Sequence, residues 1–315
     1  MNSMFWVTTK CNMRCRYCYE GQEKREEMMS IAIADKAIEY TMKRYKEFEM
    51  NDQLTIGFHG GEPLLQFELI KYIIERFKDY FKYANEKLNF SLTTNGILLS
   101  EEISEYICNN IQYLSISLDG TKKTHDTSRV FMNGEGTYDA VVAKFINILK
   151  KRPDIRVRTA FTTKTVANLY EDVKHLIDLG FRIIVPLPDL FSNDWETEHM
   201  EILYSEMKKI RELLEEVDRR IDIKVGIIDH SFEGRPKGPC SGGVTGIHID
   251  PKGNIYPCIY TVGHEEFILG HVVTGIIKER VEKIYELSKV ENEDCIGCGR
   301  YKYCNGTRCK IVNKI

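Results

Sequence analysis

An α/β fold built on parallel strands is expected from two features of the chain. Six short β-branched runs recur between residue 4 and about residue 187, and stretches of helical period separate them, the pattern of strands joined by crossover helices. The strand candidates are Met4–Thr9, Leu54–Phe58, Asn89–Thr93, Tyr113–Leu118, Ile155–Phe161 and Arg182–Leu187. Between them, Ile31 to Tyr45 is amphipathic behind a Ser30 cap, and Leu169 to Leu179 follows Asn168 and is closed by Gly180. Six such units make an open doubly wound sheet or a partly closed barrel, and both place loops at the carboxyl ends of the strands. Trp195 to Arg220 reads as one long charged helix. Ser231 to Pro239 carries two Gly and two Pro and reads as a hinge, which puts a domain boundary near residue 230.

Composition narrows the class. The 315 residues are 43% apolar and 29% charged, a balance for one large folded unit or two smaller ones and against disorder. Forty-four Lys plus Arg against 47 Asp plus Glu give a net charge of -3, so no strongly basic surface is available for a nucleic-acid backbone. The longest apolar runs, such as Ile183 to Leu187, are too short to span a bilayer, and the N-terminus lacks the features of a signal peptide. The expected setting is cytoplasmic, with neither nucleic acid nor membrane as partner.

The ten cysteines are clustered. Three lie in Cys11–Cys18 and six between Cys240 and Cys309, whereas Cys108 stands alone at the end of a helical stretch, where core packing is expected. In a reducing compartment, clustered cysteines point to metal ligands or redox groups before disulfides. Cys11, Cys15 and Cys18 form Cys-x3-Cys-x2-Cys just after the first strand. A structural zinc site wants four N/S ligands, whereas three thiolates on a 4Fe-4S cube leave one iron open to a small molecule. Asn12, Arg14 and Arg16 add donors and positive charge around them.

Lys10-Cys11-Asn12-Met13-Arg14-Cys15-Arg16-Tyr17-Cys18-Tyr19 closely resembles the signature of the radical S-adenosylmethionine (SAM) family, including the aromatic residue before the third cysteine. The resemblance implies a partial (β/α)6 barrel over residues 1–230, a 4Fe-4S cluster on Cys11, Cys15 and Cys18, and SAM bound at its open iron. It also implies further SAM contacts at strand ends: Tyr17; Gly60, Gly61 and Glu62; Thr94 and Asn95; Ser117 and Asp119; and Arg129 on the SAM carboxylate. Val185 to Leu187 would pack near adenine. Bland readings exist beside these, since a glycine pair makes a tight turn and a lone Arg is usually a solvated surface group. His59 reads as a satisfied hydrogen-bonding residue rather than a catalytic one.

The tail repeats the theme. Cys240 and Cys258 bracket a hairpin pattern whose Pro251–Asn254 turn brings two thiols to its base, and Cys295-x2-Cys298-x5-Cys304-x4-Cys309 follows in a Gly-rich, basic run. This pattern resembles the SPASM extension of radical SAM maturases, which implies a small cysteine-rich domain over 231–315 with one or two auxiliary iron-sulfur clusters. By that resemblance Cys240, Cys258 and Cys309 hold the nearer cluster and Cys295, Cys298 and Cys304 the farther one. Six thiols cannot saturate two cubes, so either an iron stays open, or only one cluster forms, or His248, His264, His271 or Asp294 substitutes. Zinc on the Cys-x2-Cys pair is the alternative.

The function so implied is peptide maturation: a 5′-deoxyadenosyl radical modifies a ribosomally made precursor, with thioether or another cross-link expected as the product. Partners would be the precursor peptide and a reductant such as flavodoxin or ferredoxin. Only ten residues precede Cys11, so leader binding is expected to use the barrel, the tail or a separate leader-recognition protein. The alternatives are an anaerobic sulfatase-maturing, formylglycine-forming enzyme, and, from another class, an iron-sulfur electron carrier or zinc-stabilised binding module.

Overall fold

The computed structural model describes residues 1–23, 25–47, 53–82, 87–217, 222–229 and 240–289. In chain order the elements are β1 (Asn2–Thr8), α1 (Ile31–Glu47), β2 (Gln53–Gly60), α2 (Phe67–Phe81), β3 (Lys87–Thr94), α3 (Glu101–Asn110), β4 (Tyr113–Ser117), α4 (Lys122–Ser128), α5 (Tyr138–Lys151), β5 (Arg156–Phe161), α6 (Leu169–Asp178), β6 (Ile183–Pro188) and α7 (Thr197–Glu216). There follow β7 (Lys224–Val225), α8 (Gly226–Asp229), β8 (Gly246–Ile249), β9 (Asn254–Tyr256), β10 (Gly270–His271), β11 (Gly275–Ile276) and α9 (Lys278–Lys289). The fold is α/β with mostly parallel strands, and each of the six expected strands is present within two residues of its expected ends. No described helix is long and apolar enough to cross a membrane. The boundary expected near residue 230 lies outside the described residues.

Contacts divide the chain into two compact units. One gathers Met1–Lys10, Arg25–Leu92 and the described part of Glu233–Ile315. There β1 pairs in parallel with β2 on one side and β8 on the other, with Asn2 opposite Thr55 and Gly246, and β2 pairs in parallel with β3. β8 then turns antiparallel to β9, and β10 and β11 continue the meander. A strand flanked on both sides buries its centre: Phe5, Trp6 and Val7 are fully buried, and the buried hydroxyls of Ser3 and Thr8 find partners in Thr41 Oγ1 at 3.0 Å and the Glu27 carbonyl at 2.8 Å. Phe5 meets Phe77 of α2 edge-on at 5.9 Å between ring centroids. Phe5 therefore faces the helices and Trp6, by strand alternation, the opposite side, where it stacks on His59 at 5.3 Å. The β8–β9 turn is closed by Asp250, whose Oδ1 accepts from the Lys252 and Asn254 amides at 2.9 and 2.8 Å.

The other unit comprises Cys11–Lys24 and Thr93–Phe232. Its strands run parallel in the order β4-β5-β6-β7. Ile116, Val157, Ile184 and Val225 stand at one level of the register and are all buried, so one apolar row crosses all four strands. Caps largely follow the expected logic: Ser30 Oγ accepts from the Ile33 amide at 3.2 Å, and Gly180 ends α6 at φ +103°. Asn168, in contrast, makes no side-chain cap. The Tyr170 amide at the start of α6 donates to Glu206 Oε2 of α7 at 2.9 Å, so a carboxylate from another helix satisfies it. Cys108, expected in the core, is half-buried at the end of α3, and neighbouring Ile107 is the buried residue.

Gly120 follows β4 at φ +116°, and a Cβ there would lie 2.2 Å from Asp172 Cβ. Both the backbone and the space demand glycine. Gly120→Ala is expected to lower unfolding stability by at least about 2 kcal/mol, read as a lower urea midpoint; an unchanged midpoint would contradict this packing.

Candidate functional site

The cysteine loop is stitched down by backbone bonds. The Arg14 amide donates to the Val130 carbonyl at 2.8 Å and the Arg16 amide to the Ser128 carbonyl at 2.9 Å, with a β-bridge between Met13 and Phe131. Met13 is buried, while Arg14 and Arg16 point outward. After it, the Cys18 amide bonds the Cys15 carbonyl at 3.2 Å, and Gln22 Nε2 returns to that carbonyl at 2.8 Å. Cys11, Cys15 and Cys18 are all half-buried.

Asn95, just beyond β3, approaches this loop. Its Nδ2 lies 3.9 Å from Cys11 Sγ and donates to Asn12 Oδ1 at 2.7 Å, while its Oδ1 accepts from the Ile97 amide at 3.0 Å. Thr94 holds the same turn by accepting from the Gly96 amide at 3.1 Å. Ser117 ends β4, half-buried.

Asp119 is the hub of this unit's polar interior. Its Oδ1 accepts from the Ala160 amide of β5 at 2.9 Å, and its Oδ2 accepts from the Tyr17 hydroxyl and sits 3.0 Å from Arg129 Nε. The Arg129 guanidinium also lies over the Tyr17 ring at 5.4 Å. Burial, countered by Arg129 and reinforced by Asp119 and Cys15, holds the Tyr17 phenol well above its ordinary range. Burial works against the Arg129 charge, but Asp119, Tyr17 and Cys15 beside it keep the group firmly protonated. The Asp119 amide in turn bonds His125 Nδ1 at 3.3 Å, and His125 Nε2 meets Thr137 Oγ1 at 2.9 Å. Burial pushes His125 down to about 4. Sequence reasoning placed Asp119 and Arg129 separately but missed their link to Tyr17 and the role of His125; the signal was the run Asp119-Gly-x4-His125-x3-Arg129.

The glycine segment belongs to the first unit. The Gly61 amide bonds the Thr8 carbonyl at 3.1 Å and the Glu62 amide the Lys10 carbonyl at 2.8 Å. A Cβ on Gly60 would meet Thr8 O at 2.1 Å and one on Gly61 would meet Lys10 O at 2.3 Å, so only glycine permits this crossing of the β1 end. The fully buried Glu62 accepts from the Leu64 amide at 3.1 Å through Oε1, capping the short 3-10 turn Pro63–Gln66.

In the tail, Cys240 Sγ accepts from the Gly242 amide at 3.3 Å, and Gly242 packs against Pro257, the neighbour of Cys258. Cys258 Sγ lies 3.8 Å from Thr261 Oγ1. Cys295, Cys298, Cys304, Cys309 and Asp294 lie outside the described residues. Two of the three histidines considered as substitute ligands are engaged elsewhere. His271 bonds the Lys252 carbonyl at 2.9 Å through Nε2 and accepts from the Val273 amide at 3.2 Å through Nδ1. His248 Nδ1 accepts from the Trp6 indole at 3.4 Å. His264 lies 4.0 Å from Glu266.

Among the described residues no three His, Cys, Asp or Glu side chains converge as a single-ion site requires. A cube asks for something different, because each of its cysteines goes to a different iron. The loop suits such a group: Asn12 Nδ2 is buried with no hydrogen-bond partner, Asn95 offers an amide to Cys11 Sγ, and the Arg129 charge acts on Cys15. These are donors and positive charge beside cysteine sulfurs, as an anionic iron-sulfur cluster needs.

Residues 7–180 match the family model described as the radical SAM superfamily, and the chain belongs to that superfamily. It is 25% identical over 321 residues to a cysteine-type anaerobic sulfatase-maturating enzyme of Clostridium novyi, covering 95% of this chain and 84% of that protein. It is 33% identical over 179 residues to an uncharacterized protein, MJ0907, of Methanocaldococcus jannaschii, covering 56% of this chain and 59% of the relative. The fold is also that of native anSMEcpe solved with bound AdoMet and Cp18Cys peptide, with a TM-score of 0.80 at 19% identity over 98% of this chain and 89% of the other. Family membership implies a 4Fe-4S cluster and SAM.

His248 gives a pH test. Burial, with a smaller contribution from His59, lowers it to about 3, so the folded protein holds it neutral. A group whose folded value lies below its unfolded value contributes stability that is lost on acidification. Relative to His248→Gln, the wild type is expected to lose stability progressively as pH falls from about 6.5, the ordinary histidine value, towards 4; parallel denaturation midpoints for the two across that window would refute it.

Proposed function

We propose that this radical SAM enzyme acts on a side chain of a peptide, forming a thioether or other cross-link in a ribosomally made precursor. The observation that carries the peptide reading is the likeness to the sulfatase-maturating enzyme, which runs through the tail and covers 95% of this chain. In this reading Cys11, Cys15 and Cys18 would hold the 4Fe-4S cluster to which SAM binds. By the family resemblance Gly60, Gly61, Glu62, Thr94, Asn95, Ser117, Tyr17, Asp119 and Arg129 would each be a SAM contact. With one electron the bound pair supplies a 5′-deoxyadenosyl radical able to take hydrogen from an unactivated C–H bond. The chain's own work is to orient SAM and peptide and to exclude water. Asn95 and Asn12 present amide donors to the Cys11 side of the loop, and Arg129 sets positive charge beside Cys15.

Cys240, Cys258 and Cys309, with Cys295, Cys298 and Cys304, are assigned to one or two auxiliary clusters. These would accept the electron released on bond formation or hold a substrate thiolate. The reductant would be a flavodoxin or ferredoxin, and leader recognition would use the barrel, the tail or a separate protein. The second reading is conversion of a cysteine to formylglycine, favoured by the sulfatase-maturating enzymes among the relatives.

Two experiments test this. Under reducing, oxygen-free conditions, Cys11→Ala, Cys15→Ala and Cys18→Ala are each expected to lose 5′-deoxyadenosine formation by orders of magnitude, while Cys240→Ala retains it but yields no modified peptide. Full cleavage in any triad variant would overturn the ligand assignment. Mass spectrometry of the product separates the readings: a cross-link removes two hydrogens and keeps sulfur, whereas formylglycine formation from a cysteine-containing sulfatase peptide loses sulfur and gains a carbonyl.

A further inference from the structure

A buried carboxylate needs its charge countered and its oxygens bonded. The side chain of Asp119 is 1% exposed, and both oxygens are engaged: one by the Ala160 amide, the other by the Tyr17 hydroxyl and the Arg129 guanidinium. Tyr17 lies inside the cysteine motif, between Cys15 and Cys18. The rest of that loop is held to the 128–131 segment by the Arg14 and Arg16 amides, and Arg129 lies within that segment, next to Ser128. One carboxylate thus grips both sides of the seam along which the cysteine loop is attached. It also pairs with the Arg129 cation, which sits beside Cys15 in the seam: Arg129 follows Ser128, whose carbonyl accepts from the Arg16 amide next to Cys15 at 2.9 Å, and its guanidinium lies over the Tyr17 ring at 5.4 Å.

We propose that Asp119 is a positioning residue for the cysteine loop, fixing the loop through Tyr17 and screening Cys15 from the full charge of Arg129. The inference rests on the cluster-binding reading of the triad for its electrostatic half only; the anchoring half concerns the chain alone. It differs from a direct contact between Asp119 and SAM in the lining of the SAM pocket, the place the family resemblance implies.

The full-length protein is compared with Asp119→Asn, Asp119→Glu and Tyr17→Phe. Arg14 and Arg16 are exposed trypsin sites within the seam, so their cleavage in the cluster-free protein reads local opening of the loop. Asp119→Asn is expected to raise cleavage there about tenfold, as loss of a charge-assisted bond would. Tyr17→Phe should raise it by a smaller factor, and Asp119→Glu should restore part of the protection. Cleavage at Lys36 on α1, which lies in the other unit, is expected to stay at the wild-type rate and so excludes global unfolding. In the reconstituted protein, Asp119→Asn is expected to move the cluster midpoint potential in the positive direction, because the Arg129 charge is no longer offset, whereas Tyr17→Phe leaves the potential near wild type.

Wild-type protection at Arg14 and Arg16 in Asp119→Asn would overturn the anchoring role. An unshifted potential would overturn the screening role, and so would a cluster that persists in Cys15→Ala, which would also remove the ligand assignment beneath it. Weakened SAM binding with protection and potential both unchanged would establish the direct contact instead.

Discussion

A full negative charge with almost no contact with water constrains everything packed around it. Asp119 sits at the end of β4, where an amide of β5 approaches one oxygen, and it draws Tyr17 of the cysteine loop and Arg129 of the segment beside it to the other. Removing one partner of such a group leaves an uncompensated charge, a cost of several kcal/mol in general. The neighbouring groups are arranged to the same end. His125 is held neutral so that its Nδ1 can accept from the Asp119 amide, and Gly120 has no side chain, so Asp172 can approach and take the Thr121 amide at 2.8 Å. The chemistry of the loop and the stability of the strand end are therefore one problem.

Parallel pairing supplies the second constraint. In the first unit β1 serves two neighbours, and β8 is one of them, so residues 246–249 continue a sheet that starts at residue 2. The consequence is local: Trp6 of β1 meets His59 of β2 and His248 of β8 on the face away from α2. A strand that must satisfy partners on both edges cannot slip in register without moving every one of these side chains to the other face.

Much of this was legible in the chain. Period and β-branching located six strands to within two residues, and Ser30 and Gly180 punctuated their helices as capping chemistry requires. The cysteine spacing pointed to the superfamily that the match over residues 7–180 shows. What escaped was non-local. The Tyr17–Asp119 bond joins residues 102 apart and the Trp6–His248 bond residues 242 apart, and no periodicity encodes such pairs. Asn168 looked like a cap because its residue type is right, but Glu206 from α7 reaches the amide first. His248 and His271 looked like spare ligands because composition shows a nitrogen and not the Trp6 indole or Lys252 carbonyl that already engages it.

The proposed chemistry requires that Cys11, Cys15 and Cys18 hold a 4Fe-4S cluster able to bind SAM. The most direct measurement is the electron paramagnetic resonance spectrum of the reduced, anaerobically reconstituted protein before and after SAM is added. The expected result is a cluster signal that changes on adding SAM in the wild type and in Cys240→Ala, with no SAM-dependent change in Cys15→Ala. A signal indifferent to SAM in the wild type, or a SAM-dependent change that survives the loss of Cys15, would contradict it.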